Sequence, residues 1–121
     1  MAQYDSNGYI IGLDKNEIFV FGSNGQGAHF AGAAAMAVRN FGAIMGQPEG
    51  LQGQSYAINT MDSFEEMKSQ IMRFLDFAKR HTELTFLVTE IGCGIAGYEP
   101  EQIAPLFNGH TSNVILPKTF R

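Results

Sequence analysis

The segment Gly92-Cys93-Gly94-Ile95-Ala96-Gly97-Tyr98 carries the residue types and spacing best suited to chemistry in this chain. Glycines at 92, 94 and 97 remove the Cβ atoms that would keep a ligand off the backbone, so N–H groups can turn toward an anion. A strand-like run, Leu84 to Thr89, precedes the segment. A helix-like segment opening at Pro100 follows it and brings the unpaired N–H donors of a helix start. The chemistry implied is phosphate binding by main chain rather than by lysine. A second glycine-rich stretch, Gly22 to Gly32, holds Ser23, Asn24, Gly25, Gly27 and His29. Asn24 either caps a turn or offers a sugar diol an amide that both donates and accepts. Histidine is the side-chain type suited to proton transfer near neutral pH, so His29 is a candidate general base, ribose contact or phosphate partner; a histidine alone in a loop is by default a polar surface group. Cys93 is either a nucleophile with its thiolate stabilised by loop N–H groups or a small packed residue, with no base beside it in sequence. Glu90, at the end of the strand before the loop, is the acidic candidate, although strand-end glutamates are usually solvated. The spacing of His29, His81, His110 and Cys93 suggests no metal site.

The GxGxxG pattern also fits a dinucleotide-binding Rossmann unit, which requires an Asp or Glu about 20 residues further on. The last acidic residue is Glu101, and the next strand candidate, Val114 to Leu116, runs into Pro117-Lys118. That unit would therefore lack its ribose anchor.

The elements that must position these loops are legible as alternating strands and helices. Ile18-Phe19-Val20-Phe21 is a continuous apolar run, as in a strand buried on both faces. The alanine-rich stretch Ala31 to Phe41 predicts a helix stopped by Gly42. Ser55 to Asn59 predicts a second strand. Phe64 to about His81 predicts a helix, with a Ser63/Glu66 capping pattern and apolar residues Phe64, Met67, Ile71, Phe74, Leu75 and Ala78 at helical spacing. Leu84–Thr89, a short helix from Pro100 to about Phe107, and Val114–Leu116 complete the series. Tyr9-Ile10-Ile11 is a candidate extra edge strand, and Gly42 to Gly53 has no assigned role. Such alternation implies a mostly parallel sheet with helices on both faces, and ligands bind such sheets beyond the C-terminal ends of the strands. Both glycine-rich stretches begin there.

At 121 residues the chain is expected to form one domain, residues 1–121, without room for separate catalytic and regulatory units. Its 45% apolar and 17% charged residues fit a folded protein. A net charge of −4 with scattered basic residues argues against nucleic acid as a partner. One cysteine excludes an internal disulfide and fits a reducing compartment. No apolar run reaches membrane-spanning length and the first residues lack signal-peptide character, so a cytoplasmic location without membrane partners is expected.

Four segments together resemble the macro domain family, whose typical ligand is ADP-ribose. Phe21-Gly22-Ser23-Asn24, with Gly25, Gly27, Gly32 and Ala33, resembles that family's strand ending in asparagine, then glycines, then a helix. Tyr56-Ala57-Ile58-Asn59-Thr60 resembles its middle strand, Gly94-Ile95-Ala96-Gly97-Tyr98 its diphosphate loop, and Asn113 to Leu116 a closing strand. The resemblance implies a three-layer α/β/α fold that binds ADP-ribose or a related nucleotide diphosphate without a cofactor. The N–H groups of Gly94 to Tyr98 would hold the diphosphate, Asn24 and the Gly25–Phe30 loop would meet the distal ribose, and Gly22, Ser23, Gly25, Gly27, Gly32, Gly92, Cys93, Gly94, Ile95, Ala96 and Gly97 are all expected ligand contacts. Asn24 would contact that ribose or place a water, and Tyr98 would close over a ribose or pack on the sheet edge. The alternatives are a hydrolase acting on an ADP-ribose ester, N-glycosidic bond or terminal phosphate, with Asn24 or His29 orienting water, and an interaction module with purely structural loops. The chain departs from the family at three points: no Gly-Asp pair stands near the N-terminus to recognise adenine, Ala31 occupies the place of a hydrolytic aspartate, and Ala96 replaces an aromatic residue.

Overall fold

The structure, a computed structural model, describes all residues from Met1 to Arg121. An N-terminal hairpin, β1 (Gln3–Tyr4) and β2 (Ile10–Gly12), forms a small antiparallel sheet of its own. The strand expected at Tyr9–Ile11 thus exists but does not extend the main sheet. Its place at the outer edge is taken by β4 (Gly50–Gln52), which arises in the segment without an assigned role.

The main sheet contains β3 (Glu17–Ser23), β4, β5 (Ser55–Asn59), β6 (Thr85–Val88) and β7 (Val114–Ile115) in the order β4-β5-β3-β6-β7. All neighbours run parallel except β4, which pairs antiparallel with β5. Because β3 is buried on both faces, its apolar residues alternate between two cores. Phe19 and Phe21 pack with Ala57, Phe41 and the Ala34 and Ala37 of α1 (Gly32–Asn40). Ile18 and Val20 pack with Tyr56, Ile58, Phe86 and the Met67, Ile71, Phe74 and Ala78 of α2 (Phe64–Arg80). The alanines of α1 let that helix approach closely, and the rings of Phe19 and Phe41 meet at 4.9 Å.

The start of α2 follows its capping signal: Ser63 Oγ accepts a bond from the Glu66 N–H at 3.0 Å. Glu65 and Glu66 in its first turn and Lys79 and Arg80 in its last complement the helix dipole. The helix expected from Pro100 to Phe107 divides into α3 (Pro100–Ile103) and a 3₁₀ turn (Ala104–Phe107), the break falling where Pro105 has no N–H to donate. Strand β3 runs two residues beyond the apolar run that announces it. Gly22 and Ser23 consequently belong to the sheet, paired with Ile58 and Asn59, and not to the loop.

Candidate functional site at the ends of the parallel strands

Strands β5, β3 and β6 are adjacent and parallel, so the segments after Asn59, Ser23 and Val88 leave the sheet at one edge. The chain leaves β3 through α1 on one face and returns from β5 through α2 on the other, so the connectivity reverses between β3 and β6. Such a reversal opens a crevice at the strand ends. The three segments converge on Gly22, where an added Cβ would stand 3.3 Å from Thr60 Oγ1 and 3.7 Å from Ile91 Cβ.

The first loop, residues 24–31, is braced from behind. Ser23 Oγ donates to the Pro48 carbonyl, Gly46 N–H donates to the Gly27 carbonyl at 2.9 Å, and His29 Nε2 lies 3.1 Å from the Gln47 carbonyl. Gln52, only 2% exposed, locks the brace by donating to the Gln47 carbonyl and accepting from the Ile44 N–H. A Cβ on Gly27 would fall 2.5 Å from the Gln47 nitrogen, and Gly27 has φ +66°. This glycine is required by loop-to-brace contact rather than by a ligand.

Two side chains of the first loop are held by the protein itself, Asn24 as one of its two readings expected and His29 against expectation. Asn24 Oδ1 accepts from the N–H groups of Gln26 and Ala28, and its Nδ2 donates to the Ala28 carbonyl at 3.1 Å. Its amide shapes its own turn, the structural alternative, and is engaged before any sugar arrives. His29 is not a surface residue. It is 2% exposed, its ring meets the Phe21 ring edge-on at 5.0 Å, and Nδ1 has no partner. Donation from Nε2 to a carbonyl leaves Nδ1 as a bare acceptor in the neutral ring, shut away from water. A general base must reach solvent or substrate, and this nitrogen does neither.

The second loop divides by function along its length. Gly92, with φ +77°, is packed: an added Cβ would meet Ile103, Met67 and Tyr98 at 3.2–3.4 Å. The N–H groups of Gly97 and Tyr98 are spent on the carbonyls of Gly94 and Gly92. Gly94, Ile95 and Ala96 present three consecutive N–H groups without a partner in the protein, and nothing lies within 4 Å of a Cβ placed on Gly94 or Gly97. Tyr98 is half-buried and packs edge-on against Phe64 at 5.6 Å. Burial pushes the Cys93 thiol up, and the carboxylates of Glu90, Glu99 and Glu101 push it further, the reverse of what a thiolate nucleophile requires. Cys93 packs against the core beneath α2. Glu90 is engaged by Thr119, whose hydroxyl donates to it at 2.7 Å.

A further donor surface follows the first loop. Helix α1 begins at Ala31, which provides no side-chain cap, and its first turn has no acidic residue. The N–H groups of Gly32, Ala33 and Ala34 have no partner, and Gly32, with φ +59°, has open space around it.

One residue at this edge escaped sequence analysis. Asp62 follows β5, and its Oδ2 accepts from Asn59 Nδ2 at 2.8 Å. Its Oδ1 would lie 2.9 Å from a Cβ on Gly25, so glycine at 25 is what admits the carboxylate. The signal was available: β5 is a parallel strand, and the segment after it must emerge beside the other two.

A groove of about 630 Å³ lies elsewhere, between β4 and α2 over Tyr56, Met72 and Phe77. Its arginines are paired, Arg73 with Glu49 at 2.7 and 3.0 Å and Arg80 with Asp76 at 3.0 Å, so it offers an anion no free cation. No three His, Cys, Asp or Glu side chains gather as a metal site, and no helix is long and apolar enough to cross a membrane. Compared with protein-family models, curated proteins and solved structures, the chain gives no match.

Proposed function

We propose that this protein binds ADP-ribose or a related nucleotide diphosphate at the crevice between β3 and β6, in a three-layer fold of the macro domain kind. The observation that carries this proposal is the row of unpartnered N–H groups at Gly94, Ile95 and Ala96 after β6, at the same end of the parallel strands as the uncapped start of α1 after β3. Two sets of main-chain donors at one end of a parallel sheet suit a ligand with more than one anionic oxygen. Binding is favoured over hydrolysis because the two side chains expected to orient water are otherwise engaged: the Asn24 amide holds its own turn and His29 is buried.

Calorimetry with ADP-ribose, NAD, ADP and AMP tests the proposal, with Gly94→Val as the probe of the diphosphate position. Gly94 has neither a left-handed φ nor a neighbour to strike, so valine is accommodated by the fold and fills the space over the donors. The variant should melt with the wild type and lose affinity at least about tenfold, the equivalent of about one hydrogen bond to a charged group. Wild-type affinity in a folded Gly94→Val protein would refute the diphosphate position.

Salt gives a second expectation. The donors are fixed dipoles, while the nearest formal charges around Cys93 are the carboxylates of Glu90, Glu99 and Glu101. Screening therefore weakens a repulsion instead of an attraction. Affinity for ADP-ribose should change less than about twofold between 50 and 200 mM salt, whereas a site built on six or more basic contacts loses about 10³-fold or more over that range. A steep decline would point to lysine and arginine side chains.

A further inference from the structure

The Asp62 carboxylate is presented over the first loop, at the same end of the strands as the crevice, in a way that packing alone does not require. Asn59, 3% exposed, donates to Oδ2 through Nδ2, and its own Oδ1 accepts the Met61 N–H at 3.0 Å, which fixes the amide's orientation. The Asn59 N–H is in turn held by Gln70 Oε1 from α2 at 2.7 Å, and Gln70 is 5% exposed. Two buried amides thus aim one exposed carboxylate over the first loop. Its Oδ1 lies against Gly25 yet receives no hydrogen bond from that residue or any other.

A fixed carboxylate with a free oxygen accepts hydroxyl protons and repels phosphate oxygens. The Asn24 amide, engaged in its turn, does not serve as that acceptor. We propose that Asp62 is the hydroxyl acceptor of the site, so that the ligand class is a nucleoside diphosphate esterified to a second sugar, with the diphosphate on the main-chain donors and the second sugar's diol on Asp62. This assignment rests on the nucleotide-binding proposal above and adds the residue that selects the sugar.

The test compares ADP-ribose with ADP, which lacks the second sugar, in wild type, Asp62→Asn, Asp62→Ala and Gly25→Ala. Asp62→Asn retains the shape and removes the charge; Gly25→Ala retains the carboxylate but displaces it, because the new methyl would stand 2.9 Å from Oδ1. Affinity for ADP-ribose should decline about 10–100-fold in Asp62→Ala, less in the other two, while ADP binds as before or slightly tighter, the carboxylate's repulsion having been relieved. The opposite response of the two ligands is what a merely structural residue would not produce. Equal losses for both ligands with a lowered Tm would make Asp62 a fastener of the loops and overturn the assignment. ADP-ribose affinity unchanged in all three variants would overturn it while leaving nucleotide binding intact. A wild type that binds neither ligand would overturn both proposals.

Discussion

Phe74→Ala should lower the free energy of unfolding by about 3–5 kcal/mol, the range for deleting a fully enclosed phenyl ring. Phe74 has no exposed surface, and its ring meets Tyr56 at 5.0 Å, Phe86 at 5.4 Å and Phe107 at 6.4 Å. It therefore joins α2 to β5, to β6 and to the turn after α3. The partners are rings anchored in separate elements, which limits their collapse into the vacated space. Phe30→Ala is the matched control, because Phe30 is 78% exposed, and it should stay within about 0.5 kcal/mol of wild type. Urea denaturation of the two variants checks both values. A Phe74→Ala loss near that of Phe30→Ala would mean that the core beneath α2 is not packed as described.

Gly27→Val should be nearly as damaging, for a different reason. A non-glycine residue in the left-handed region costs about 1–2 kcal/mol, and overpacking a closed contact adds about 1–3. Both apply at Gly27, where a Cβ would fall 2.5 Å from the Gln47 nitrogen and 2.6 Å from the Gly46 carbonyl carbon. These are backbone atoms and cannot rotate aside. A loss of about 2–5 kcal/mol is expected, with the damage concentrated where the first loop leans on residues 46–48. Hydrogen exchange should show the amides of residues 24–31 and 44–52 losing protection before those of β3 and β5. Uniform loss across the sheet would contradict a separable loop and brace.

The sequence announced the parallel strands and the helices well because each is marked by a strong local pattern. The run Ile18–Phe21 is apolar on successive residues, and α2 has a cap, a period and oppositely charged ends. The Gly42–Gly53 segment could not be assigned because its function is non-local. Its own residues suggest only turns, yet it supplies the edge strand β4 and the carbonyls that hold Ser23 and His29. The glycines illustrate the same limit. Spacing grouped Gly25, Gly27, Gly92 and Gly94 as ligand contacts, whereas Gly27 and Gly92 are bare because protein atoms occupy the place of a Cβ, and Gly94 is bare beside open space. Composition cannot separate these two causes. The burial of His29 was equally unreadable, since it depends on a ring from β3 and a carbonyl 18 residues away.

The strand order has a consequence for the protein's manufacture. β3 occupies the middle of the sheet, yet it is the first of the five strands to leave the ribosome, and both its neighbours, β5 and β6, come later. At translation speeds of about 5–20 residues per second, the run Ile18-Phe19-Val20-Phe21 waits for seconds with both hydrogen-bonding edges open. An unpaired apolar strand is a template for self-association. A chaperone that holds the emerging chain until β5 and β6 are made should therefore raise its yield.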